Sequence, residues 1–141
     1  MAASTKSLEG IIPFIGGSPD VVFTIPLDPA TGGVGASSMT PVATTAASGF
    51  QIAKAGPGKL YGLNVVAGAT AGYVLVYDAV AAPVDGATTP KKVFQLAANA
   101  SLDRTWDRGL IFTTGIVIVF SSTGPFTKTI SNTAFIETEV V

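Results

Sequence analysis

The polar stretch LDRTWDRG, residues 102–109, holds the side chains of this sequence that are best suited to binding a partner. If the stretch is extended, Arg104, Trp106 and Arg108 lie on one face, because side chains alternate between the two faces of a strand. Tryptophan and arginine are enriched among the residues that dominate protein–protein interfaces. The same pattern also fits a core tryptophan flanked by exposed ion pairs, each of which contributes little to stability. The stretch therefore predicts either a subunit interface or a packed rim of the domain.

Carboxylates provide the second group of candidates. Glu137 and Glu139 lie two residues apart on a predicted strand, where one shared face would allow their oxygens to hold a hard cation. A calcium loop would concentrate more acids around a glycine, so we interpret the pair as the solvated face of an edge strand. Four aspartates in turn-like contexts are predicted to cap backbone amides: Asp20, Asp28, Asp78 and Asp85. No metal site is predicted.

The chemistry of an enzyme is missing from the sequence. The chain has no cysteine and no histidine, so it lacks a thiolate nucleophile, a thiolate metal site and the commonest general base. The nearest approach to a phosphate-binding loop is AGPGKL, residues 55–60, in which Leu60 stands where Ser or Thr would bind magnesium. We interpret this segment as a hairpin turn. The sequence predicts a protein that is not an enzyme and binds no cofactor.

Composition favours assembly over an isolated monomer. Charged residues make up 12% of the 141 residues, about half of the usual ~25%. A surface of small uncharged residues tolerates close protein contact, because few charges must be desolvated. Eight scattered basic residues and a net charge of -1 predict no direct binding to nucleic acid. The most apolar window, residues 110–120, is shorter than the ~20 residues of a membrane span, and the N-terminus does not resemble a secretory signal.

The chain divides into two regions of different amino-acid composition. Residues 1–48 are rich in Gly, Pro, Ser and Thr, with one strand-like segment, VVFTIP at 21–26, and predict an extended N-terminal arm. Residues 49–141 show β-branched and aromatic runs with turn signals about every 10 residues, which is typical of an all-β antiparallel β-sandwich. About eight strands suit a jelly roll. Residues 59–68 and 71–79, joined by GAT, are predicted to form a hairpin.

The segment IVIVFS, residues 116–121, is apolar on both faces. Ile116, Ile118 and Phe120 are predicted to enter the sandwich core, so Val117 and Val119 point the other way. Those two valines would meet a second layer, the arm or another subunit. The predicted interface therefore consists of Arg104, Trp106, Arg108, Val117 and Val119 together with Phe14 and Phe23 of the arm.

Four phrases carry a resemblance to a known group of proteins: GATAGYVLVYDA (68–79), APVDGATTP (82–90), QLAANASL (95–102) and TTGIVIVFSSTGPFTKTISNTAFI (113–136). They resemble small β-sandwich or jelly-roll structural proteins of tailed-bacteriophage virions, some of which decorate or cement the head. The resemblance covers a little over half of the chain and leaves out the arm. It implies a decoration protein, expected as a homotrimer on the major capsid protein, made in the host cytoplasm and located in the virion head.

Two alternatives remain. The same features fit a neck, tail or baseplate component, since related folds occur at each of these positions. A carbohydrate- or receptor-binding module is the other, in which Tyr61, Tyr73 or Trp106 would stack on a sugar ring. Because nearly all of the aromatic residues alternate with apolar neighbours, core packing accounts for them without a ligand.

Overall fold

Short β-branched and aromatic runs, separated by Gly, Pro and Asn turns, form strands throughout residues 38–141, the part of the chain that the computed structural model describes. No helix occurs in this part. The strands are β1 (Thr40–Ala43), β2 (Phe50–Lys54), β3 (Gly58–Ala67), β4 (Gly72–Asp78), β5 (Gly86–Ala87), β6 (Lys92–Leu96), β7 (Ser101–Phe112), β8 (Ile116–Ser121), β9 (Thr127–Lys128) and β10 (Ala134–Val140). The predicted strand at 21–26, the predicted caps Asp20 and Asp28, and Phe14 and Phe23 lie outside the described residues.

Two four-stranded antiparallel sheets form a sandwich-like domain. The first sheet has the order β1-β10-β3-β7, the second has the order β2-β8-β4-β6, and β5 and β9 form a separate two-stranded ribbon. The predicted all-β antiparallel fold is confirmed. The predicted hairpin of residues 59–68 and 71–79 is wrong, because β3 belongs to the first sheet and β4 to the second. The hairpin predicted at residues 55–60 is wrong for the same reason, since this turn connects β2 of the second sheet to β3 of the first.

One apolar cluster fills the space between the two sheets. The strands of the two sheets supply it mostly with alternate residues, as the two-residue period of a strand requires, and Leu60 and Leu63 depart from this spacing where the register shifts. Ile116, Ile118 and Phe120 are fully buried in it, as predicted. Their partners in the cluster include Leu60, Leu63, Val65, Val74, Val76, Phe112, Ile136 and Val140.

The opposite side of the second sheet is buried as well. Val117 and Val119 form a second cluster with Leu75 and Tyr77, and Ala79, Ala82 and Ile130 are among the residues that pack against it. We call the segments 79–91 and 122–133, which connect β4 to β6 and β8 to β10 and contain the β5–β9 ribbon, the cover. Because β8 lies between the core and the second cluster, all six of its residues are buried.

Part of the predicted arm belongs to the sandwich. β1 pairs with β10, and further along the Ser48 amide donates to Ala134 O at 2.7 Å. The buried side chain of Gln51 fastens this strand, because its Nε2 donates to Val42 O and to Ile136 O at 3.0 Å each. The predicted arm, residues 1–48, therefore overlaps the first sheet along residues 38–48. Small side chains concealed this strand in the sequence, since backbone pairing rather than apolar burial holds it.

Candidate interaction surfaces

The predicted interface residues Arg104 and Trp106 lie on β7, an outer strand of the first sheet. Trp106 is half-buried and packs against the central core. The Arg104 guanidinium lies 5.5 Å from the centroid of the Phe94 ring, and its Nη1 donates to Asp103 O at 3.0 Å. Since Phe94 belongs to β6 of the second sheet, Arg104 bridges the two sheets along one side of the sandwich. Trp106 thus packs in the domain, whereas Arg104 is exposed and contacts the second sheet through the Phe94 ring.

Arg108 lies in a bulge of the same strand. Leu60 pairs with Leu110 and Gly62 pairs with Thr105, so residues 106–109 stand opposite Tyr61 alone. Gly109, at φ 71°, adopts the left-handed conformation that glycine accepts most readily. The bulge interrupts the alternation that was expected to place Arg108 on the face of Arg104 and Trp106. Arg108 and Asp107 are exposed on it.

Val117 and Val119 are fully buried in the second cluster. Of the three environments considered for them, a second layer is the one found, and residues of the cover contribute to it. Neither valine is accessible to a partner while the cover is in place. The structure therefore does not bring them together with Arg104, Trp106 and Arg108 on one surface.

The outward side of the first sheet is a surface that the sequence did not single out; we call it the open face. Glu137 pairs with Asn64, which pairs in turn with Asp103, and Glu139 pairs with Gly62. β10 has strands on both sides, so the interpretation of Glu137 and Glu139 as an edge strand is wrong, although both point to solvent. Within residues 38–141, the carboxylates of Asp103, Glu137 and Glu139 have neither a hydrogen bond nor an ion pair.

One corner of the open face is apolar. Phe135 and Val66 are direct cross-strand partners, and 39% and 41% of their surfaces are exposed. They line a groove of about 360 Å³ whose other walls are small and uncharged: Thr44, Thr45, Ala46, Ala47, Ala67, Gly68, Thr133 and Ala134. The groove adjoins the carboxylates, since Phe135 precedes Glu137 by two residues on the same face of β10.

Asp78, at the end of β4 in the second sheet, has several structural partners. The Asp78 carboxylate accepts the backbone amides of Thr113, Thr114 and Gly115 at 2.8–3.2 Å, and Lys91 Nζ lies 3.6 Å from its Oδ2. The hydrogen bond from the Thr113 amide is the largest of the effects that hold the pKa of Asp78 well below its usual range, against a smaller effect of desolvation. Asp78 thus caps the turn between β7 and β8, as predicted.

Asp85 and Lys128 tie the two halves of the cover together. The Lys128 side chain is fully buried and donates to the Asp85 carboxylate, which also accepts the Ile130 amide at 3.1 Å. The hydrogen bond from Lys128 is the main reason that the pKa of Asp85 is lowered. Beneath the cover, burial raises the pKa of the Tyr77 hydroxyl. No atom of the described chain meets hydrogen-bond geometry with Tyr77 Oη.

Signals for the open face were present in the sequence but ambiguous. In AFIETEV, residues 134–140, Phe135, Glu137 and Glu139 share one face, which the period of two predicts. Only the pairing of β10 with β3, and of β3 with β7, brings Val66 and Asp103 onto the same surface, and partner strands cannot be read from periodicity. Sequence reasoning therefore found the two glutamates and missed the surface to which they belong.

Within residues 38–141, no group of three or more acidic side chains is arranged to hold a metal ion. No helix in this part of the chain has the length and apolar character needed to cross a membrane. No protein-family model, curated protein or solved structure shows significant similarity to the chain.

Proposed function

We propose that this chain is a non-enzymatic structural protein of a tailed-bacteriophage virion, a decoration protein that binds the major capsid protein and stabilises the head shell. The proposal rests on one observation, which is that the two outer faces of the sandwich differ in whether other segments pack on them. Within residues 38–141, the chain covers one face with its own segments and leaves the other open, with two half-exposed hydrophobic residues and three unpaired carboxylates. A rigid body with one open face is suited to lie against a lattice of other subunits.

We also infer that the sandwich is a jelly roll of eight principal strands. Taken in chain order without the short ribbon strands, the strands belong to the first, second, first, second, second, first, second and first sheets. This alternation, combined with the orders β1-β10-β3-β7 and β2-β8-β4-β6, follows the double Greek-key winding of jelly rolls. The strand order supports the same class of virion protein that the sequence resembles.

Shell stabilisation would follow from binding alone. A protein that binds the assembled shell and not its dissociated subunits makes the shell harder to disrupt by mass action. Homo-oligomerisation, with a trimer as the expected form, would multiply the contacts of each bound unit. An interface of about 800 Å² per partner lies in the range of stable complexes. The low charge content of 12% limits the desolvation cost of such contacts.

Phage heads that lack the protein provide the decisive test. We expect depleted heads to release DNA at a lower temperature than wild-type heads, and purified chain to restore the wild-type temperature. Light scattering of the purified chain is expected to give the mass of a discrete oligomer. If depleted and wild-type heads lose DNA at the same temperature, the cement role is wrong.

The copy number in purified virions separates this proposal from the neck, tail or baseplate alternative. A head decoration protein is expected in hundreds of copies, because it follows the lattice of the shell. A neck, tail or baseplate part is expected in a few to a few dozen copies. Quantitative mass spectrometry against the major capsid protein measures the ratio directly.

A further inference from the structure

The centre of the open face contains a hollow that glycine keeps free. Gly62 lies between Glu139 and Thr105 in the register of the sheet and is part of a hollow of about 180 Å³. A β-carbon at Gly62 would lie 3.2 Å from Glu139 Oε1, so any side chain at this position would press on the carboxylate. The row Glu137, Asn64 and Asp103 forms the neighbouring wall.

The three carboxylates around the hollow favour a cationic group, and their spacing suits a group larger than a bare metal ion. Neighbouring strands are about 4.8 Å apart, so Glu137 and Asp103, which lie on either side of β3, are separated by about 10 Å at the backbone. This spread agrees with the absence of a metal-binding group in the described part of the chain. A lysine ammonium or an arginine guanidinium carries several donors on a long side chain and can reach carboxylates that do not converge on one point.

The apolar groove lies at a fixed distance from this hollow. The groove centres on Phe135 and Val66, and the hollow lies beside Glu137 and Glu139, two to four residues further along β10. At about 3.4 Å per residue, this separation is roughly 7–14 Å. Two side chains four residues apart in an extended segment point the same way and span about 13 Å.

We propose that the open face is a docking surface for a partner protein that places a lysine or arginine in the Gly62 hollow and an apolar side chain in the groove of Val66 and Phe135. Charge complementarity selects the basic residue, and the uncharged walls of the groove select the apolar one. The inference goes beyond the proposed function, because it specifies the chemistry of the partner whatever particle that partner belongs to. Its failure would leave the head-stability experiment unaffected, so the two are tested separately.

Peptide titration of the isotope-labelled full-length chain, followed by nuclear magnetic resonance, tests the proposal. The probe is acetyl-Thr-Leu-Thr-Ser-Thr-Lys-Thr-amide, in which Leu and Lys stand four residues apart. We expect saturable shifts of the backbone amides of Gly62, Asn64, Val66 and Glu137 at millimolar peptide. A peptide with Glu in place of Lys is expected to cause none of them. High salt is expected to weaken binding of the Lys peptide, because exposed charges are screened.

Matched variants distinguish the surface from general charge attraction. The isosteric triple variant Asp103→Asn, Glu137→Gln and Glu139→Gln is expected to weaken binding of the Lys peptide about tenfold. The control Asp107→Asn removes an exposed carboxylate of the β7 bulge and is expected to leave binding unchanged. The proposal is overturned if the Lys peptide shifts none of these amides, if the Glu peptide shifts them equally, or if the triple variant binds as the wild type does. A change in the oligomeric mass of the triple variant would assign the face to self-association and would also overturn it.

Discussion

The two inner strands β8 and β10 hold equivalent places in the two sheets and differ in the environment of their outer faces. β8, IVIVFS, is buried at every residue, whereas β10, AFIETEV, alternates buried residues with half-buried or exposed ones. Both strands supply every second residue to the same core. The difference lies in the cover, which packs on the second sheet, whereas no segment of residues 38–141 packs in the same way on the outer face of the first. An apolar run on both faces of a strand thus indicates a further layer of protein, and here part of that layer comes from the same chain.

The carboxylates of the two faces differ in the same way. Asp78 and Asp85, beside and within the cover, accept backbone amides and lie close to lysines. In the described part of the chain, Asp103, Glu137 and Glu139 on the open face have no such partners. The first group holds segments of the chain together, and the second group is free to bind a partner. The presence or absence of partners within the chain thus distinguishes structural carboxylates from candidate binding carboxylates.

The largest effect is expected where the cover is tied together. Asp85→Asn removes the counterion of Lys128, whose side chain is fully buried, and leaves an ammonium group without compensation. Lys128→Met is expected to cost less, because the Asp85 side chain is 53% exposed and can be hydrated. The double variant is therefore expected to recover most of the stability that Asp85→Asn loses. The melting temperatures of all four proteins, measured by differential scanning calorimetry, check this cycle.

Additive effects of the two substitutions would contradict the coupling between Asp85 and Lys128. If Asp85→Asn alone does not fold, the double variant still tests the coupling. A double variant that folds would show that the unpaired Lys128 ammonium prevented the single variant from folding. Asp107→Asn, which changes one exposed carboxylate of the β7 bulge, is the charge-matched control and is expected to leave the melting temperature unchanged.

The second effect compares one valine from each outer face. Val119→Ala, in the fully buried second cluster, is expected to lower the free energy of unfolding by about 2 kcal/mol, through lost burial and the cavity left behind. Val66→Ala, on the open face, is expected to lower it by less than about 1 kcal/mol, because 41% of Val66 is already exposed. Urea unfolding followed by tryptophan fluorescence measures both. Equal losses would mean that the two faces do not differ in the way described.

The sequence was sufficient to predict an all-β fold and the residues of β8 that face the core. It was insufficient to predict which strands pair with one another. Apolar alternation in residues 116–121 correctly placed Ile116, Ile118 and Phe120 in the core. The turn signals at residues 55–58 and 68–70 marked chain reversals correctly, but a turn does not reveal whether the next strand pairs with the last one or crosses to the other sheet. Both predicted hairpins failed for this reason. β1 was hidden because TPVA has little apolar area and is held by pairing with β10.

The predicted interface residues were chosen by type, and the structure separates them by environment. Trp106 packs against the core, Arg104 is exposed beside the Phe94 ring, and Val117 and Val119 lie under the cover. What the sequence could not supply was strand order, which alone places Val66 and Asp103 on the same surface as the outward residues of β10. A binding surface on a sheet is formed by residues far apart in the chain, so periodicity within single strands could reveal only one row of it.

The smallest effect concerns acid stability and compares Asp78 with Glu139. The folded protein holds the pKa of Asp78 below that of the unfolded chain, about 3.9. Its stabilising contribution is therefore complete above that value and is lost as the pH falls through it towards the lower folded pKa.

Asp78→Asn is expected to cost about 1 kcal/mol at pH 7, through weaker hydrogen bonds to the Thr113, Thr114 and Gly115 amides, and to lose less stability than the wild type on acidification. Glu139→Gln, which removes a carboxylate without such bonds, is expected to change stability at pH 7 by less than about 0.5 kcal/mol. Urea midpoints from pH 7 down to about pH 3 measure both variants. If the urea midpoint of Asp78→Asn falls with decreasing pH as steeply as that of the wild type, the Asp78 cap does not determine the acid sensitivity of the fold. The proposed contrast between hydrogen-bonded and free carboxylates would then be wrong for Asp78.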